Sequence, residues 1–280
     1  MIDLHTHSRH SDGSDPAAEV VARAAHAGCE WVALTDHDRL DGIPEAKEAA
    51  RSLGIGFVAG CEISCRLGSR GCHVLAYFAE PGDGPLQREL ARVQAAREER
   101  NVAMIERLAQ GGIPITYAEV LQESGGGSTG RPHIAAILLQ KGIVGSLQEA
   151  FDRWIGEGRP GYVTTSRLDP ARAARLAAGS NAVVSLAHPL RIGLPPAQLR
   201  SLVAELAEAG FAGIEAYHSG CSPAEREALA GLAREFDLVA TGGSDYHGHY
   251  KPEISIGTGK GDLCLGVDVI EELAARRPRS

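Results

Sequence analysis

Short apolar runs alternate with amphipathic stretches along most of this chain, and that rhythm constrains the fold more than any other feature. Ile2–His5 reads as a strand. A helix follows over Pro16–Ala27, with Asp15 as N-cap, Pro16 at its first position and Gly28 as its stop. Trp31–Thr35 is the next strand, and a helix over Ile43–Leu53 ends at Gly54. Phe57–Ala59 leads into Gly60-Cys61-Glu62-Ile63, and His73–Phe78 is another strand. Further on, the strands Ala182–Ala187, Gly213–Tyr217 and Leu238–Thr241 alternate with helices over Pro195–Ala209, Pro223–Phe236 and Val267–Arg276. Strands separated by helices argue for a mostly parallel sheet with helices packed on it. About seven strands suit a barrel-like β/α fold, and 280 residues is a normal length for one such barrel. A doubly wound open sheet is the alternative that periodicity does not separate. Aromatic residues make up only 5% of the chain, so the core must be mainly Ala, Leu, Val and Ile.

The rhythm breaks once. A long charged helix is predicted over Pro85–Gln110, then a loop containing Gly125-Gly126-Gly127, then short helical stretches over Ile134–Gln140 and Leu147–Trp154. We therefore expect a barrel domain built from residues 1–99 and 166–280, with 100–165 as a small helical insertion. The Gly-rich loop has no GxxxxGK[ST] pattern and follows no apolar strand, so it reads as a connection rather than a phosphate cradle.

The bulk properties exclude several classes. The formal charge is −8 and no Lys/Arg-rich tract occurs, which argues against a large nucleic-acid surface. A small phosphorylated ligand held by local charges remains compatible with that balance. The six cysteines form no CxxC pair; Cys61 and Cys65 are four apart, but no second pair completes an all-cysteine zinc site. They read as free thiols of a reducing compartment. The N-terminus, MIDLHTHS, lacks the layout of a signal peptide, and no apolar run approaches the ~20 residues that span a bilayer. The expectation is a cytoplasmic protein with no membrane partner.

Most of the eleven histidines fall at the ends of predicted strands. His5 and His7 are two apart, so an extended backbone points them to one face. Asp12 lies in the adjoining loop, His37 follows the second strand, Glu62 ends the third and His73 opens the fourth. His188 ends the strand before Pro189, and Asp245 and His247 follow the last strand. In β/α folds the C-terminal strand ends converge on one mouth. Any one of these histidines read alone is a packing or capping residue; independent packing histidines have no reason to gather at strand ends. Nine N/O ligands without a thiolate suit divalent Mn, Zn or Fe. One ion takes roughly four to six ligands, so nine groups suit two or three ions. Such a centre can bind a phosphate, lower the pKa of a water and neutralise a leaving oxygen. His10, His26 and His249 read as ordinary surface or capping residues.

These motifs also carry a resemblance. Asp3-Leu4-His5-Thr6-His7-Ser8, Ser11-Asp12-Gly13, Thr35-Asp36-His37-Asp38, Gly60-Cys61-Glu62, Ala187-His188-Pro189 and Gly243-Ser244-Asp245-Tyr246-His247 resemble, in order, the signatures of the PHP (polymerase and histidinol phosphatase) family. The resemblance implies a distorted (β/α)7 barrel with a two- or three-metal site. It gives metal roles to His5, His7, Asp12, His37, Glu62, His73, His188, Asp245 and His247, with Glu62 and Asp245 as bridging ligands. Gly130-Arg131-Pro132-His133-Ile134-Ala135, Trp154-Ile155-Gly156 and Pro160-Gly161-Tyr162-Val163 resemble the bacterial subgroup of nucleoside 3′,5′-bisphosphate phosphatases and short 5′→3′ exoribonucleases, in which the insertion caps the mouth. Arg131 and His133 then become candidates for holding a substrate phosphate, with Asn101, Arg191 and His218 as further candidates.

The resulting expectation is a phosphoric-ester hydrolase. A metal-activated hydroxide would remove the 3′-phosphate of a nucleoside 3′,5′-bisphosphate, with short RNA cut from its 5′ end as a further substrate. Asp245, His247 and His218 are the candidate catalytic residues, with His218 or His247 protonating the leaving oxygen. The alternatives are a histidinol-phosphate phosphatase and a non-catalytic metal- or nucleotide-binding module.

Overall fold

The computed structural model describes residues 1–125, 129–164 and 167–278. Its strands are β1 (Ile2–Asp3), β2 (Trp31–Leu34), β3 (Gly56–Leu67), β4 (Arg70–Tyr77), β5 (Val183–Ala187), β6 (Gly213–His218) and β7 (Val239–Gly243). They lie side by side in chain order. β1, β2 and β3 pair in parallel, as do β5, β6 and β7. The last strand meets the first: Leu4 N–H donates to Gly242 O at 3.2 Å and Asp245 N–H to His5 O at 2.9 Å. The open doubly wound sheet is thereby excluded, and the barrel expectation stands.

β4 runs antiparallel to both neighbours, and this is the distortion. A tight turn at Gly68, in the left-handed region with φ +56°, joins β3 directly to β4 and leaves no room for a crossover helix. β3 is also longer than the sequence suggests. It runs five residues past Glu62, so Glu62 sits within the strand and does not end it.

The helices are α1 (Ala17–His26), α2 (Ile43–Leu53), α3 (Pro85–Gln110), α4 (Tyr117–Glu123), α5 (Arg131–Gln140), α6 (Leu147–Ala150), α7 (Pro170–Ala178), α8 (Pro196–Glu208), α9 (Pro223–Glu235) and α10 (Asp268–Ala275). Local chemistry explains their ends. Ser222 and Glu225 form a capping box on α9, and Gly54 closes α2 in the left-handed conformation. Asp15 does not cap α1; Pro16 occupies that position, and the Asp15 carboxylate instead accepts from Tyr246 Oη at 2.7 Å and pairs with Arg23. The reading of the sequence missed α4 and α7. Both carry start signals, the Thr116–Glu119 capping box and the Asp169 cap before Pro170. The stretch read as one helix over Leu147–Trp154 is α6 followed by a π-helical turn, Phe151–Ile155. Of the Gly-rich loop, Gly126 and Gly127 lie outside the described residues.

Two apolar clusters serve the barrel. Its interior holds Ile2, Leu4, Ala33, Val58, Leu75, Tyr77 and Val239, packed with Val269, Ile270 and Leu273 of α10. The larger cluster lies between strands and helices and includes Val20, Ile43, Leu86, Leu202 and Leu229. A third, separate cluster joins Met104, Leu108, Ile115, Val120, Ile134, Leu138 and Ile155. Each fully buried Leu or Ile contributes about 1.5–3 kcal/mol. No helix among the described residues is long and apolar enough to cross a membrane.

Candidate metal centre

The mouth of the barrel collects all nine residues singled out by the sequence. The parallel strands bring their C-terminal ends there, which places His5, His7, His37, His188, Asp245 and His247. β4 arrives in the opposite sense, so its beginning lies at the mouth. His73 therefore pairs with Ser64 and Ala187 in the ladder and stands next to His188, ring centroids 5.1 Å apart.

Glu62 is the hub. Its Oε2 lies 3.2 Å from His5 Nε2, His7 Nε2 and His37 Nδ1. Its Oε1 lies 2.9 Å from His73 Nδ1 and 2.8 Å from His188 Nε2. Asp245 Oδ1 faces His7 Nε2 at 3.4 Å and His247 Nδ1 at 3.5 Å. Asp12 lies between His37 (3.6 Å) and His247 (3.4 Å). Three overlapping sets have ligand atoms close enough to share an ion: His7, Asp12, His37 and His247; His5, His7 and Asp245; His37, Glu62 and His73.

The electrostatics show a cluster short of positive charge. Burial would push the His7 imidazole down, but the Asp245 and Glu62 carboxylates carry it up to about 9. Burial wins at His37, lowered to about 3, and at His188, lowered to about 4. Glu62, Asp12 and Asp245 stay well below the usual carboxylate range despite their burial, because imidazoles surround the first two and Lys251 with His247 flanks the third. Both ring nitrogens of His7 and Nδ1 of His37 are buried without a hydrogen bond. Buried polar atoms left unpartnered cost about 1–3 kcal/mol each. Divalent cations would satisfy these lone pairs and the carboxylates together, so the residues present fit such ions.

Supporting groups aim the rings. Glu215, fully buried on β6, was missed from the sequence. Its Oε1 accepts from His5 Nδ1 at 2.7 Å, and its Oε2 accepts from the His188 backbone N–H at 2.6 Å. A proton on His5 Nδ1 leaves the Nε2 lone pair facing the centre. The signal was a carboxylate inside the apolar run Gly213–Tyr217, where a charge is costly without a partner. His247 Nδ1 donates to the Asp245 carbonyl at 2.8 Å, which likewise leaves the Nε2 lone pair free for an ion on the Asp12 side. Asp3 accepts backbone N–H bonds from His5, Ser244 and Gly257 and locks β1 to the β7 loop. His188 and Asp245 have positive φ, +27° and +58°, an uncommon backbone for side chains of this size.

Beside Asp12, His37 and His73 opens a cavity walled by Arg97, Arg100, Arg131 and Arg167, with Val93, Pro132 and Phe151 as its apolar side. Arg131 sits at the first position of α5, where the helix dipole also favours an anion. Arg97 pairs with Asp38. Burial and the neighbouring guanidiniums lower Arg100 to about 9, and burial with Arg167 lowers Arg131. Arg97, Arg100 and Arg167 were not singled out from the sequence. Arg97 and Arg100 are three apart on α3, a spacing that places both on one face.

The remaining candidates divide. Asn101 is fully buried; it accepts from Arg100 and donates to Thr129, so it reaches the cavity only by holding Arg100. His133 accepts from the Gly130 N–H and packs edge-on against Tyr250, centroids 5.8 Å apart, and does not line the cavity. His218 accepts from the Gly220 N–H at Nδ1, which puts the proton of a neutral ring on Nε2, 3.3 Å from Asp245 Oδ2. Arg191 Nη1 reaches the same oxygen at 3.0 Å, and Lys251 Nζ, also missed, at 2.8 Å. Cys61 and Cys65 take no part; the six cysteines are free, and all but Cys264 are buried.

The chain is similar to known proteins over most of its length. A 5′-3′ exoribonuclease of Haemophilus influenzae is 34% identical over 88% of this chain and 89% of its own. A 3′,5′-nucleoside bisphosphate phosphatase of Chromobacterium violaceum is 31% identical over 88% of this chain and 87% of its own. The crystal structure of a Bifidobacterium adolescentis protein, assigned by prediction as a metal-dependent phosphoesterase, superposes with a TM-score of 0.86 at 32% identity, covering 98% of this chain and 96% of that one. The PHP domain model matches residues 3–124, the segment that carries six of the nine clustered residues. Fold, ligand cluster and relatives agree, and the chain belongs to the PHP domain family.

Proposed function

We propose that this protein is a metal-dependent phosphoesterase that removes the 3′-phosphate of nucleoside 3′,5′-bisphosphates and also trims short RNA from its 5′ end. The observation that carries this reading is the arginine-walled cavity directly beside the ligand cluster. Two adjacent anion sites suit a substrate with two phosphates. The 5′-phosphate would sit among Arg100, Arg131 and Arg167, since guanidinium forks match phosphate geometry. The 3′-phosphate would then lie over the carboxylate–histidine cluster, with Phe151 and Pro132 beside the nucleoside. Histidinol phosphate carries one phosphate and a cationic amine, which four guanidiniums repel. A non-catalytic binding module does not need the full ligand set. Residues 100–165 act in this reading as a cap that brings Arg100, Arg131 and Phe151 over the barrel held by 1–99 and 166–280.

The nine clustered residues would hold two or three ions of Mn, Zn or Fe, with Glu62 and Asp245 bridging. Bound ions supply Lewis acidity for the phosphoryl oxygens and lower the pKa of water. The chain's own residues do the rest. Asp12, Glu62 and Asp245 stay ionised, His5 and His247 keep their Nε2 lone pairs inward, and the arginines orient the nucleotide for in-line attack. His218 presents an N–H beside Asp245 and is the better proton donor to the leaving ribose oxygen, because His247 spends its Nδ1–H on a carbonyl. The test is phosphate release from adenosine 3′,5′-bisphosphate with Mn²⁺, beside histidinol phosphate and an Asp245→Asn control. We expect release from the bisphosphate alone. Release no faster than the control, or preference for histidinol phosphate, overturns the reading.

A further inference from the structure

A nucleoside bisphosphate and an RNA chain differ at one oxygen of the scissile phosphate. In the bisphosphate that oxygen is terminal. In RNA it continues as O5′ of the next nucleotide, which must leave the mouth by some route. The arginine cavity is taken by the 5′ end, so the route lies elsewhere. Arg191 and Lys251 meet this need. Neither lines the arginine cavity. They approach from the Asp245 side and converge with His218 on its Oδ2, whereas Oδ1 faces His5, His7 and His247. Their side chains are 51% and 29% exposed, so neither side chain is sealed inside the cluster.

Surfaces suited to bases adjoin both cations. Leu190, next to Arg191, is 37% exposed, one of the few large apolar side chains that face solvent among the described residues. Tyr250, next to Lys251, lies 4.3 Å from the His249 ring, centroid to centroid. Cations on the backbone path with apolar or aromatic faces beside them are the recurring pattern of single-strand binding. We infer that Arg191 and Lys251, with Leu190 and the His249–Tyr250 pair, receive the nucleotide on the 3′ side of the scissile phosphate and so set how well oligoribonucleotides compete with bisphosphates. This rests on the function proposed above. The reaction balances with water alone. Water adds to phosphorus, the P–O3′ bond breaks, the ribose oxygen leaves with a proton, and the shortened chain keeps the phosphate as its new 5′-phosphate.

The experiment compares kcat/KM for adenosine 3′,5′-bisphosphate and for 5′-phosphorylated ApA in wild type, Arg191→Gln, Lys251→Met and the double variant, with metal content and Tm measured on each. Whatever the loss on the bisphosphate, we expect the double variant to lose at least tenfold more on the dinucleotide, and Arg191→Lys to recover much of it. A second readout avoids turnover: binding of a 3′-fluorescein, 5′-phosphorylated pentaribonucleotide to protein in EDTA, as a function of salt. Each removed cation should flatten the log Kd against log salt slope by about 0.7. Equal losses on both substrates, a larger loss on the bisphosphate, or an unchanged slope overturn the inference. Wild type that cleaves the bisphosphate but not the dinucleotide sinks the inference alone; wild type that cleaves neither sinks the proposed function as well.

Discussion

The Glu215 carboxylate joins two strand ends: one oxygen holds the His5 ring and the other holds the His188 backbone. Partners of this kind typically change metal affinity 10–100-fold when altered. Glu215→Gln keeps the shape and an acceptor but loses the charge beside His5 Nδ1. We expect Mn²⁺ affinity, measured by isothermal titration calorimetry, to fall by about that factor while the fold persists; unchanged affinity would show that His5 needs no anionic partner. The nine clustered residues were legible because each sits beside a strand signal in a repeated pattern. Glu215, Lys251 and the cavity arginines Arg97, Arg100 and Arg167 were not. Their roles come from which atoms meet across the fold, as when Lys251 folds back onto Asp245 six residues before it. Asn101 shows the converse: the residue was noticed, yet burial turned it from a ligand contact into a brace for Arg100.

At the scale of elements, barrel closure depends on one close approach. An added Cβ at Gly243 would lie 2.4 Å from His5 N and 2.5 Å from His5 Cβ, so β7 can meet β1 only if this position is bare. Gly243→Ala should therefore cost about 1–3 kcal/mol through overpacking, lowering Tm by roughly 2–4 °C per kcal/mol for a chain this long, and should weaken Mn²⁺ binding at the same time. Thermal melts with and without metal check this; a normal Tm would mean that the β1–β7 seam can open without penalty. The alternation of strands and helices was readable because βα units leave a periodic trace. The reversal of β4 was not, since a strand carries no mark of its direction. Only the short turn at Gly68 tells that no crossover helix fits. α4 and α7 were missed although their caps are written in the sequence, because both are short and follow a long helix or loop.

For the whole molecule, proton and metal binding are linked. His7 is held up to about 9, so the metal-free fold gains stability from its protonation below the unfolded value near 6.5 and loses it as pH rises through 9. His37 and His188 are held down to about 3 and 4, so the unfolded chain takes up protons that the fold refuses, and stability also falls as pH drops below about 6.5. The acid loss deepens at lower pH, as Glu62, Asp12 and Asp245, ionised in the fold, become protonated in the unfolded chain. Metal-free protein should thus be most stable near pH 6.5. A metal ligand must be unprotonated, so the Tm gain on adding Mn²⁺ should grow between pH 6.5 and 9. Differential scanning fluorimetry across that range decides it; a gain independent of pH would show that His7 takes no part in binding.

The β3–β4 hairpin has a consequence for how the molecule assembles. Glu62 and His73 are eleven residues apart on strands joined by a tight turn, and hairpins of this kind form in about 1–10 μs. Asp245 and His247 follow β7 and meet His5 and His7 only when β7 docks on β1. One half of the centre is therefore local in sequence and the other half is a long-range pairing of the first strand with the seventh, the kind that forms late. The complete ligand set exists only on a chain whose last strand has closed the ring. Metal capture would thus certify folding: ions held across all nine residues would mark a molecule whose seventh strand has met its first.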